Sequence, residues 1–148
     1  MLLAACTGAT SPADSTGSPS ATRTPDVEAK QPVAPPVAPT VDPAAVFVPG
    51  GTAEENLPIF TKVVADQWAA GNGTNSAAYI DALVATGFDL AAMETTASKT
   101  TIGNDADSLQ FSVLIQGKCL VGQVGASTGD PVAVVLPELK DGGCLVSV

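Results

Sequence analysis

Leu109-Gln110-Phe111-Ser112-Val113-Leu114-Ile115-Gln116-Gly117-Lys118-Cys119-Leu120-Val121-Gly122-Gln123-Val124 decides the fold class of this chain. Leu109, Phe111, Val113 and Ile115 alternate with Gln110, Ser112, Leu114 and Gln116, and a period of two places the first set on one face of a strand. Gly117-Lys118 reads as a two-residue turn with glycine first, folding Cys119 to Gly125 back as the second strand of an antiparallel hairpin. In that register Ile115 stands opposite Leu120 and Val113 opposite Gly122. Leu120 and Val124 then share the core face, while Cys119 points to the other face with Val121 and Gln123.

Upstream of the hairpin the period changes. Leu57, Phe60, Val64 and Trp68 fall at helical spacing on one face, which reads as core. Thr52 with Glu55 three residues on, just after the turn Pro49-Gly50-Gly51, is a capping-box pattern. Pro58 conflicts with a regular helix from Thr52, so either the first turn is distorted or the helix begins later with Asn56 as its cap. Gly71-Asn72-Gly73 ends it. A second helix is expected over Ser76 to Thr86, capped by Ser76, with Ile80, Leu83 and Val84 as its apolar stripe and Gly87 as its stop.

The threonine-rich run Met93 to Thr101 reads as a strand, and Asn104 to Asp107 as a loop. Beyond the hairpin, Ala126 to Pro131 is loop and Val132 to Leu136 is apolar but of undecided type. Cys144 to Val148 reads as a last strand held against the hairpin. Helices followed by strands predict an α+β domain: two N-terminal helices packed on a small antiparallel sheet, with one disulfide.

The sequence divides into residues 1–6, residues 7–46 and a domain over residues 47–148. The middle segment, from Thr7 through Ser11-Pro12, Ser18-Pro19 and Pro32 to Pro43, has almost no aromatic or large aliphatic bulk. Such a composition cannot offset its conformational entropy by burial, so it reads as a disordered Pro/Ala/Ser/Thr tether. As a flexible coil about forty residues span about 35 Å, and as extended polyproline II at most about 120 Å. The remaining 102 residues make one ordinary domain.

Ahead of the tether, Leu3-Ala4-Ala5-Cys6 supplies the small residues before a cysteine that a lipoprotein cleavage and acylation site requires. A secretory signal also needs a basic region and about 7–15 apolar residues, whereas only Met1 and Leu2 precede the motif. On the lipoprotein reading the true start lies upstream; on the other reading the run is an accident of an alanine-rich chain. The chain has three cysteines. If Cys6 carries lipid, Cys119 and Cys144 are left as an even pair in an oxidising compartment, where a disulfide is expected.

Charge narrows the classes of partner. Within residues 47–148, Lys62, Lys99, Lys118 and Lys140 face eleven carboxylates, in a chain of net charge −9. Nucleic acid is excluded as a partner for want of a basic footprint, and anionic lipid would repel the bare surface. No apolar run approaches the roughly 18 residues of a spanning helix. Membrane attachment, on this reading, comes through lipid on Cys6, with a protein or small molecule as the domain's own partner.

Chemical constellations are few. Asp105-Ala106-Asp107 resembles the start of a calcium loop but lacks the glycine and terminal glutamate at the right spacing, so it reads as a solvated turn. Glu54 and Glu55 are explained by the positive end of a helix dipole. With no histidine in the chain, a zinc site and the usual general base are missing, and no catalytic, metal or cofactor residue is assigned. Asn72-Gly73-Thr74 fits a glycosylation sequon and reads as a turn. Trp68 is assigned to packing and Tyr79 is undecided. With six aromatic residues in all, an aromatic platform for sugars or bases is not expected.

Leu3-Ala4-Ala5-Cys6, the tether, Asn56-Leu57-Pro58 opening a helix, and the repeated Cys119-Leu120-Val121 and Cys144-Leu145-Val146 resemble small actinobacterial lipoproteins whose C-terminal domain has no assigned function. The domain part of the resemblance covers roughly residues 47–148. It implies a membrane-anchored extracytoplasmic protein with a small binding or structural domain, and it brings no catalytic residues. The alternatives are a hydrolase or transferase using carboxylate, Ser or Lys groups, which would show converging carboxylates in a deep pocket, and a ligand-sensing module, which would show an apolar pocket between helices and sheet.

Overall fold

The structure, a computed structural model, describes residues 40–146. Two helices, α1 (Ala53–Ala69) and α2 (Ser76–Thr86), and a 3-10 turn at Leu90–Ala92 precede four strands: β1 (Met93–Thr95), β2 (Ser108–Ile115), β3 (Lys118–Gly125) and β4 (Val132–Pro137). The strands pair antiparallel in chain order, β1-β2-β3-β4, an α+β arrangement with one disulfide. The helices precede the sheet, but they lie in the middle of the 148-residue sequence rather than at its N-terminus. None of the described helices is long and apolar enough to cross a membrane.

The capping box forms: the Glu55 N–H donates to Thr52 Oγ1 (3.3 Å) and the Thr52 N–H to Glu55 Oε2 (2.7 Å). The helix therefore starts at Ala53 and runs through Pro58. Proline there leaves the Glu54 carbonyl without its helical donor, and Glu54 is exposed, so water can serve that oxygen. Asn56 is consequently inside the helix, not its cap, and is almost completely buried. Its Nδ2 donates to the carbonyls of Val48 and Thr52 (3.1 Å each), and its Oδ1 accepts the Val48 N–H (2.8 Å). This amide clamps the incoming chain, whose Ala45 and Phe47 pack against the core. Asn56→Leu removes the clamp and leaves its polar partners unpaired; thermal denaturation is expected to show a loss of about 1–3 kcal/mol.

Ile59, Phe60, Val63 and Val64 of α1 are buried, with Leu57 and Trp68 only partly so. In α2 the stripe differs from the expected one. Tyr79 and Leu83, one helical turn apart, are fully buried, while Val84 is 41% exposed; an eleven-residue helix turns only one narrow face to its neighbours, and the aromatic ring takes it. The N-cap is Asn75 rather than Ser76, and Gly87 closes the helix.

In the hairpin, Ile115 pairs with Lys118, Val113 with Leu120 and Phe111 with Gly122. The turn is Gln116-Gly117, one residue earlier than expected, with both residues at positive φ (50° and 77°), the left-handed pair that a primed two-residue turn needs. The register slips by two, an even number, so every face is preserved. Leu109, Phe111, Val113, Leu120 and Val124 are buried in the core. Cys119 and Val121 form a second cluster, with Leu114, Cys144 and Leu145 packed beside them.

Two terminal expectations change. β1 stops at Thr95 because Thr96 ties itself to Gln110 through both its N–H (2.8 Å, to the carbonyl) and its Oγ1, which accepts the Gln110 N–H (3.0 Å); the chain then leaves the sheet. Val132–Pro137 is a strand. Cys144–Val146 is not: the Cys144 and Leu145 N–H groups both donate to Glu94 Oε2 (2.8 and 2.7 Å), so a carboxylate takes the donors that a ladder would have used. The rest of that expected strand, 147–148, lies outside the described residues.

Candidate functional site

Glycines and short polar residues end α1, and that composition shapes one wall of an open cleft of about 710 Å³. The wall is the loop Gly71–Asn75. Asn72 Nδ2 donates to the Gln67 carbonyl (3.3 Å) and to Gln67 Oε1 (2.8 Å), and the Tyr79 hydroxyl donates to the Gly73 carbonyl (2.9 Å). Tyr79, undecided from sequence, is thus a core residue whose polar tip pins this loop. Its ring stacks on Phe111 at 4.8 Å, and burial pushes its phenol pKa above the ordinary tyrosine value.

The facing wall is a small hairpin-like excursion between β1 and β2. Lys99 and Asp105 form an isolated bridge, the Ala106 N–H donates to the Ser98 carbonyl (3.0 Å) and the Thr100 N–H to the Asn104 carbonyl (2.8 Å). Lys99 Nζ also pairs with Asp105 Oδ1 at 2.5 Å. The floor is Gly125-Ala126 at the end of β3, beside Asp107. Gly125 has φ 151°, and a Cβ there would lie 2.2 Å from the Asp107 carbonyl, so only glycine lets the two backbones meet.

Trp68 closes the cleft at the end of α1. It is half-buried and also borders a separate groove of about 250 Å³, lined by Val41, Val64, Pro131 and Ala133 among others. The other five rings pack on one another: Phe47 on Phe88 (4.9 Å), Phe60 on Phe88 (6.1 Å) and Phe111 (6.0 Å), and Tyr79 on Phe111. Trp68 belongs to none of these contacts.

The remaining residues singled out in the sequence are distributed elsewhere. Cys119 and Cys144 form a disulfide, their Cα atoms 5.5 Å apart. Cys6 lies outside the described residues. Glu55 serves the capping box, and Glu54 pairs with Lys118, whose hydrogen bond lowers its carboxyl pKa. Asp105 is engaged by Lys99, and among the described residues no group of three or more His, Cys, Asp or Glu side chains could hold a metal ion. Ser112 is fully buried and its hydroxyl has no hydrogen-bond partner among the described residues, but its pairing with Val121 puts it on the sheet face away from the core. Ser98 and Lys99 carry no sequence signal as site residues, and Asp107 carries one only as part of the run read as a solvated turn; the polar run Gly71–Asn75 hints at a loop larger than a helix stop.

The sequence model of a family described as a domain of unknown function (DUF6993) matches residues 64–148. The match begins within α1 and includes every residue lining the cleft. It covers more than half of the chain, which therefore belongs to that family. No curated protein and no solved structure matches the chain.

Proposed function

We propose that this member of the DUF6993 family is an extracytoplasmic lipoprotein of the small actinobacterial kind, anchored to the cell membrane through lipid on Cys6 and displaying a small binding domain on its Pro/Ala/Ser/Thr tether. The observation that carries the reading is the Cys119–Cys144 disulfide. Disulfides persist in oxidising compartments, and this one uses two of the three cysteines, leaving the one that follows Leu3-Ala4-Ala5 for acylation. The open cleft favours binding over a purely structural role.

The intact mass of the protein isolated from its native host, with and without reductant and alkylation, tests this. The expected mass carries a lipid on Cys6 and shows two thiols that alkylate only after reduction. Cys6→Ala, expressed from the complete native gene, should move from the membrane to the soluble fraction. An unmodified Cys6 in the native protein, or membrane association that survives Cys6→Ala, would overturn the anchor.

A further inference from the structure

We propose that the cleft between Gly71–Asn75 and Ser98–Asp107 binds a neutral, hydroxyl-rich ligand, an oligosaccharide chain, against the ring of Trp68. The inference rests on reading the folded part as a binding domain and names the ligand class. Its volume, about 710 Å³, falls in the range of small-ligand sites.

Charge selects against anions. Among the described residues Lys99 is the one cation lining the cleft, and its ammonium is already paired with Asp105. Among the described residues no cation pairs with the Asp107 carboxylate, on a chain of net charge −9. A phosphate or carboxylate ligand would meet repulsion here; sugar hydroxyls, which donate to carboxylates and amide carbonyls, would not.

The walls keep polar groups in reserve. They are held by backbone hydrogen bonds, the Asn72 amide, the Tyr79 hydroxyl and the Lys99–Asp105 pair. None of those contacts uses the side chains of Thr74, Asn75, Ser98 or Asp107, and Asn75 caps α2 without a side-chain hydrogen bond. They offer a mixed set of donors and acceptors with an excess of acceptor oxygen, which suits hydroxyls that donate and accept.

Trp68 supplies the apolar surface. A pyranose ring has a C–H face that needs burial as well as hydroxyls that need partners, and an indole meets the first requirement. Trp68 packs against the edge of the core without joining its ring pairs and is half-buried at the cleft. One indole therefore does what the small number of aromatics in the sequence argued against.

Trp68 is the only tryptophan and borders both this cleft and the smaller groove beside it, so its emission reports binding at either, and Asp107, which lines the cleft but not the groove, tells the two apart. The full chain is titrated with maltohexaose, cellohexaose and chitohexaose to millimolar concentration. The expected result is a saturable change in Trp68 emission with at least one of them, and about a tenfold weaker dissociation constant for Asp107→Ala. Calorimetric titration of Trp68→Phe, chosen to keep the packing of α1, should show a similar weakening. Absence of saturable binding with all three sugars overturns the proposal. So does a response that Asp107→Ala and Trp68→Phe leave unchanged, or saturation by inositol hexakisphosphate instead of sugar. None of these results touches the mass of Cys6, so the failure of the ligand class and the failure of the anchor are read separately.

Discussion

A Cys119→Ala/Cys144→Ala variant is expected to melt about 15–25 °C below the native protein, followed by far-UV circular dichroism. The cross-link joins residues 25 apart, and closing a loop of that length removes about 3.5 kcal/mol of chain entropy from the unfolded state. Little of this returns through packing. Cys119 is fully buried and Cys144 nearly so, yet alanine fills most of each site and keeps the small cluster with Leu114, Val121 and Leu145. The C-terminal segment would keep its second hold, the two N–H groups that Glu94 accepts. Glu94→Ala with the disulfide intact should therefore cost less, about 1–3 kcal/mol. If the double cysteine variant melted with the native protein, the C-terminal segment would be held by Glu94 alone.

The hairpin was legible because its signal is periodic and local. Even the misplaced turn did little harm: Gly117 is in the turn in either register, and an even slip returns Leu120 and Val124 to the core and Cys119 to the other face. The capping box was legible for the same reason, since Thr52 and Glu55 lie within one helical turn. Asn56 and Glu94 were not. Each satisfies backbone groups outside its own element, Val48 eight residues back for one and Cys144 and Leu145 some fifty residues on for the other, and such bonds leave no periodic pattern in the intervening residues. The last strand failed on Glu94, because an apolar run predicts burial but cannot say which acceptor its amides will find.

The cleft shows the same division. Its near wall was visible as Gly71-Asn72-Gly73, though only as a helix stop. Its far wall, Ser98 to Asp107, is opposed to the first by the fold alone, and the Asp105-Ala106-Asp107 run, read as a solvated turn, does not disclose that it lines a cavity. Trp68 fits its helical stripe and also borders open space; periodicity predicts the first and is silent on the second.

Phe111→Ala is expected to cost about 3–5 kcal/mol, the other large loss in this fold. Phe111 is fully buried, stacks on Tyr79 at 4.8 Å and approaches Phe60 at 6.0 Å, so it joins β2 to both helices. Its seat is made by its cross-strand partner. Gly122 pairs with Phe111 in β3, and a Cβ at Gly122 would lie 2.5 Å from the Phe111 ring. A strand glycine usually weakens a sheet; here the missing side chain is the space the ring occupies. Gly122→Ala should thus destabilise by about 1–3 kcal/mol despite the better strand propensity of alanine, because the ring must leave its seat between Tyr79 and Phe60. The two effects share one cause, so they should not add. Phe111→Leu/Gly122→Ala, measured by urea denaturation against both single variants, is expected to lose less than their sum by about 1 kcal/mol, within the coupling range of touching residues. Strict additivity would mean that the ring does not depend on the glycine, and that Gly122 serves only the backbone of β3.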